Sequence, residues 1–219
     1  TDIHWTDGLH GQYRLAPALS AHAILQHLPD TGPGSTWRAP LDFSAGGGRW
    51  GGYFALESRR PVGPLIQRAV GLTVYPDSLA AHGPASTRRA DYRALAARAT
   101  AAWPLGSSGA QVLLGGEIGR AERSVAGRSP SAWQAEIDIE GPDRRHSSGI
   151  ALGRAGGSWL TSSDFRESEH LFEWRYLMRL RADLSLDARW RWRREIDTPA
   201  SDVRQRVDRD VYLRATWRF

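Results

Sequence analysis

Cysteine is absent from the 219 residues, so the chain can build no disulfide framework and offers neither a thiolate metal site nor a cysteine nucleophile. Lysine is absent as well, and arginine supplies all 29 basic residues. There is no run of about 20 apolar residues, which excludes a helical membrane protein. The mean hydropathy of -0.47 does not separate a soluble protein from a membrane protein built of strands, because alternating faces cancel in an average. The opening Thr1-Asp2-Ile3-His4-Trp5 lacks a basic stretch followed by an apolar one, so any export leader is expected to have been removed or never included. The length suits one domain with a full interior or one closed sheet. A net charge of +5 would suit a nucleic-acid partner if the charge gathered on one face or helix. Here the arginines alternate with aromatics instead, and no nucleic acid is expected.

What is present is clearest at the C-terminal end. Val211, Leu213, Ala215, Trp217 and Phe219 fall on one side of an extended segment, with Tyr212, Arg214, Thr216 and Arg218 on the other. Strict period-2 alternation marks a strand whose two faces meet different surroundings. The segment before repeats it, with Leu184, Leu186, Ala188, Trp190 and Trp192 opposing Asp187, Arg189, Arg191 and Arg193. So does the one before that, where Phe172, Trp174, Tyr176, Met178 and Leu180 oppose Glu173, Arg175, Arg179 and Arg181. Each is long enough to cross a bilayer, at about 9 to 11 residues. A soluble barrel or sandwich would turn the apolar face inward. That face carries more aromatic volume than a small closed interior accommodates, and tryptophan suits a lipid interface. Trp133, Trp174, Trp190, Trp192, Trp217 and Phe219 are expected to form the membrane girdle.

The ending Tyr212-Leu213-Arg214-Ala215-Thr216-Trp217-Arg218-Phe219 resembles the C-terminal signature of bacterial outer-membrane barrels. The resemblance implies an all-β, antiparallel transmembrane β-barrel in the bacterial outer membrane. Its partners would be outer-membrane lipids and the barrel-assembly machinery, which reads the final aromatic residue. The signature covers the last strand, and the strand rhythm carries the likeness along the chain as a single domain, or as the C-terminal barrel of a longer protein.

Further strands are expected at roughly 148–160, 130–140, 109–120, 90–103, 65–75, 49–60, 18–28 and 8–15. In 130–140, Trp133, Ala135, Ile137 and Ile139 oppose Gln134, Glu136, Asp138 and Glu140. The connections alternate in length, as they do between short periplasmic turns and longer external loops. Short ones fall at Ala182-Asp183, Gly141-Pro142-Asp143, Pro104-Leu105-Gly106, Pro61-Val62-Gly63-Pro64 and Ala16-Pro17. Long ones fall around 195–208, 161–168, 121–130, 76–90 and 29–48. This gives eleven strands where an even number is usual, so about twelve are expected, the last drawn from Ile3 and Trp5 or from Trp37 to Ala45.

Arg175, Arg179, Arg181, Arg189, Arg191, Arg193, Arg214 and Arg218 then line the lumen as a basic wall, joined by Glu136, Asp138 and Glu173. Guanidinium groups match carboxylate, phosphate or sulfate, so the wall suits a channel or export barrel for anionic solutes such as acidic saccharides. The carboxylates also allow a second reading, a closed structural barrel whose interior is a salt-bridged lattice. An enzyme reading rests on His146 and Ser148, two apart on one strand as in outer-membrane lipid hydrolases, with no following Asn of the phospholipase pattern. The remaining histidines show no metal-ligand spacing, and no glycine loop leads a strand into a helix, so neither metal nor cofactor is expected.

Overall fold

The computed structural model describes residues 7–28, 49–80, 89–122, 129–157, 159, 168–196 and 205–218. Among these there is no helix, and eleven strands form one sheet: β1 (Asp7–Ala16), β2 (Leu19–Leu28), β3 (Arg49–Ser58), β4 (Leu65–Ala80), β5 (Arg89–Leu105) and β6 (Ala110–Ala121), then β7 (Ser131–Glu140), β8 (His146–Ala155), β9 (Glu169–Arg179), β10 (Leu184–Glu195) and β11 (Val207–Trp217). Every strand pairs antiparallel with its chain neighbours, giving the order β1 to β11 without a crossover. The sheet is open. β1 and β11 are its edges, and no Cα of one lies within 8 Å of the other. The twelfth-strand candidates Ile3, Trp5 and 37–45 lie outside the described residues, as does Phe219.

Tight turns follow the local chemistry. Gly106 and Gly109 bracket the β5–β6 turn at φ of 64° and 81°, values that only glycine adopts without strain. In the β7–β8 turn the Asp143 carboxylate accepts from the Arg145 backbone N–H at 2.9 Å, while Arg144 turns left-handed at φ 53°. The short connections all lie at one end of the sheet and the long ones at the other. β8 begins two residues earlier and ends five earlier than expected: Gly156 still donates its N–H to the Ser131 carbonyl, but the Trp159 N–H closes a turn onto the Gly156 carbonyl and the indole joins the apolar cluster on the shielded face.

The two faces have inverted polarity. Along β7, Trp133, Ile137 and Ile139 are 45%, 41% and 49% exposed, whereas Glu136, Asp138 and Glu140 on the other face are partly shielded. Among the described residues thirty large hydrophobic side chains are exposed; of the ten buried hydrophobic residues, seven are alanine. The shielded face is therefore not an oily core. It is lined by small residues and charges, with one apolar cluster of Tyr92, Trp159 and Ala155 toward the long-loop end, against which Tyr75 packs.

Candidate functional site: the charged inner wall

Register decides which charges meet. The pairing aligns Glu173 with Arg191 and Asp187 with Arg214, and the ion pairs follow it. The Nε of Arg191 donates to Glu173 at 2.6 Å, with Arg189 3.8 Å from the same carboxylate. Arg214 lies 3.5 Å from Asp187, and Arg193 lies 3.6 Å from Glu169.

Two arginines reach further, over an intervening strand. Adjacent strands are about 4.8 Å apart, so next-nearest ones stand about 10 Å apart, within reach of one extended arginine. Arg175 on β9 crosses β8 to donate to both Asp138, at 2.8 and 3.1 Å, and Glu136, at 2.9 Å, on β7. Gly149 on β8 lies beneath this bridge. A Cβ there would stand 1.9 Å from Asp138 Oδ1 and 3.2 Å from Arg175 Nε. Likewise Arg98 on β5 crosses Ala69 of β4 to reach Glu57 on β3 at 3.0 Å. Arg59 also donates to Glu57, at 2.5 Å. Glycine and alanine on the inner faces of β4 and β8 thus make room for the pairs.

Burial is unequal within these pairs. The Glu57 side chain is 6% exposed while that of Arg98 is 51% exposed; Glu173 is 8% against 38% for Arg189. A buried carboxylate requires partners, and the arginines supply them while keeping part of each guanidinium in the open. The layer that solvent meets is therefore richer in guanidinium than the residue count implies. Gln67, Arg98, Glu117, Gln134 and Arg175 line a polar hollow of about 280 Å³ on this wall.

Arg175, Arg189, Arg191, Arg193, Arg214, Glu136, Asp138 and Glu173, which the sequence reading assigned to a lumen wall, share the shielded face of the sheet. The other three arginines of that reading lie at its short-turn end. Arg179 ends β9 and donates to the carbonyl of Arg144 at 3.1 Å. Arg181 lies past the strand, 3.4 Å from Asp183, and Arg218 follows β11, its backbone N–H donating to the Asp183 carbonyl. Of these three, Arg179, paired with Ser185, still shares the face of Arg175. Trp133, Trp174, Trp190, Trp192 and Trp217, which the sequence reading assigned to a membrane girdle, lie on the face opposite the charged one. Trp174 and Trp190 face each other at mid-strand, whereas Trp133 and Trp192 lie toward the long-loop end and Trp217 toward the other. Sequence reasoning missed Glu57, Glu169 and Trp159; the Gly-x-Ala-x-Gly-x-Ala spacing of Gly149 to Ala155 was the available signal for a crowded inner face.

His146 and Ser148 lie at the short-turn end of β8. His146 Nδ1 is 2.7 Å from the Tyr176 hydroxyl, and the Ser148 hydroxyl accepts from Trp174 Nε1 at 3.2 Å. Each is thus engaged by an aromatic residue of β9, and among the described residues no carboxylate orients the imidazole. Among the described residues no group of three or more His, Asp or Glu could hold a metal ion. No known protein family, curated protein or solved structure matches the chain.

Proposed function

We propose that the chain is a bacterial outer-membrane β-barrel whose lumen passes small anionic solutes, acidic saccharides among them. The barrel reading is supported by the inverted faces: apolar side chains outward, where lipid would cover them, and paired charges inward. Short turns then face the periplasm and long loops the exterior. β1 and β11 run in the same direction, so one further strand, antiparallel to both, completes an even number of about twelve. The barrel-assembly machinery would insert the chain through its terminal aromatic signature.

The observation that carries the anion reading is the unequal burial of the pairs, which leaves guanidinium groups facing the lumen and carboxylates behind them. Fixed positive charge in a narrow passage concentrates anions and repels cations. The test is the reversal potential under a salt gradient in planar bilayers. Wild type is expected to prefer chloride over potassium. Arg98→Gln with Arg214→Gln is expected to reduce that preference with little loss of folding, since Glu57 keeps Arg59 and Asp187 is partly exposed. A potential unmoved by the double change, or a folded protein without conductance, would contradict the channel. The second outcome would favour a closed structural barrel, for which the Tyr92, Trp159 and Ala155 cluster is the specific observation.

A further inference from the structure

The outer face carries a group of cations that the inner wall does not explain. Register places Arg154 of β8, His170 of β9 and Arg194 of β10 side by side in one cross-strand row, and Arg209 of β11 opposite Trp192, one step nearer mid-strand. All four are on the outward face, within a few residues of the long-loop end. Arg154 and Arg194 thus stand on either side of His170, not opposite each other, and Arg209 lies diagonally from Arg194. The inner-wall arginines named above meet a carboxylate. In contrast, among the described residues neither Arg154, Arg194 nor Arg209 forms an ion pair. Arg194 donates to the amide oxygen of Gln205 at 2.9 Å, and Arg154 Nε is buried with no hydrogen-bond acceptor. Among the described residues no carboxylate pairs with the arginines of this row.

Beside it is a groove of about 970 Å³ whose floor is apolar, from Trp133, Leu152, Phe172 and Trp190, and whose polar lining is His170, Arg194, Arg209 and Gln205 with one carboxylate, Glu195. An apolar floor with a cationic rim matches an amphipathic anion. We propose that this groove binds a phosphate-bearing lipid of the surrounding leaflet, its acyl chains on the aromatic floor and its phosphate across Arg194, Arg209 and His170. Guanidinium forks fit phosphate oxygens bidentately. An acidic segment of another protein would satisfy the charges but not the floor, which is long, apolar and turned outward with the lipid-directed residues.

This site rests on the membrane-barrel reading, and the experiment separates the two. Protein reconstituted in phosphatidylcholine vesicles is titrated with phosphatidic acid carrying brominated chains, and separately with brominated phosphatidylcholine, while tryptophan fluorescence is followed. Phosphatidic acid is expected to reach half-maximal quenching at about a tenfold lower mole fraction than phosphatidylcholine. Arg194→Gln with Arg209→Gln is expected to abolish that advantage, and Arg60→Gln, at the short-turn end, to retain it. Inorganic phosphate is expected to compete only weakly. Equal quenching by both lipids, an advantage that survives the double change, or full competition by inorganic phosphate would overturn the lipid site while leaving the barrel reading intact. Absence of quenching by either lipid would overturn both.

Discussion

Single atoms control the inner wall. Arg175 reaches Asp138 and Glu136 only because Gly149 has no side chain, and a Cβ at that position would overlap the Asp138 carboxylate. Gly149→Val is therefore expected to lower stability by about 1–3 kcal/mol through overpacking alone. Further loss follows if the shielded carboxylates are left without their guanidinium. Gly11 on β1 has nothing within 4 Å of its would-be Cβ, so Gly11→Ala is expected to change stability little. Urea unfolding from lipid vesicles, comparing both variants with wild type, checks the contrast; equal midpoints would show that the bridge does not constrain the fold. The same reasoning explains which arginines could be replaced safely. Arg191 is only 14% exposed against a buried Glu173, whereas Arg98 and Arg214 are about half exposed.

The strand is the scale at which alternation becomes structure. Ile150 is at the middle of β8 on the outward face, aligned with Ile137 and Trp174. If that face meets hydrocarbon, Ile150→Arg is expected to cost about 2–4 kcal/mol in bilayers, where a charged side chain finds no water near the midplane. The same change on a water-facing strand would cost little, so a vesicle unfolding measurement that shows no effect argues against lipid contact. All eleven strands were legible in the sequence, most sharply β7, β10 and β11, because their faces differ strongly in polarity. The ends were less so. β4 runs five residues past its expected end, and β8 stops short of its own where Trp159 closes a turn onto the Gly156 carbonyl. Partners were not legible at all, since they depend on register. The bridge from Arg175 to Asp138 and the row of Arg154, His170 and Arg194 emerge only when three strands are aligned. Residues such as Glu57 and Glu169 gave no periodic signal, because burial of a single carboxylate depends on neighbours distant in sequence.

At the scale of the whole molecule, a meander of eleven antiparallel strands turns an apolar face outward and a charged face inward, with its edge strands β1 and β11 unpaired to each other. Exposed edges and an extensive exposed apolar surface are both liabilities in water. A closed barrel in a bilayer removes both, the first by pairing and the second by lipid. The proposed channel, the proposed lipid site and the predicted stability effects all depend on that one assignment of faces. Because the chain has no cysteine, it can be tested by single cysteines placed in turn from 132 to 139 along β7, each carrying a nitroxide label in protein reconstituted in vesicles. Labels at 133, 135, 137 and 139 are expected to be relaxed by oxygen, which concentrates in the hydrocarbon, and those at 132, 134, 136 and 138 by a water-soluble nickel complex. Uniform access of the nickel complex to all eight positions, or the opposite alternation, would contradict the account.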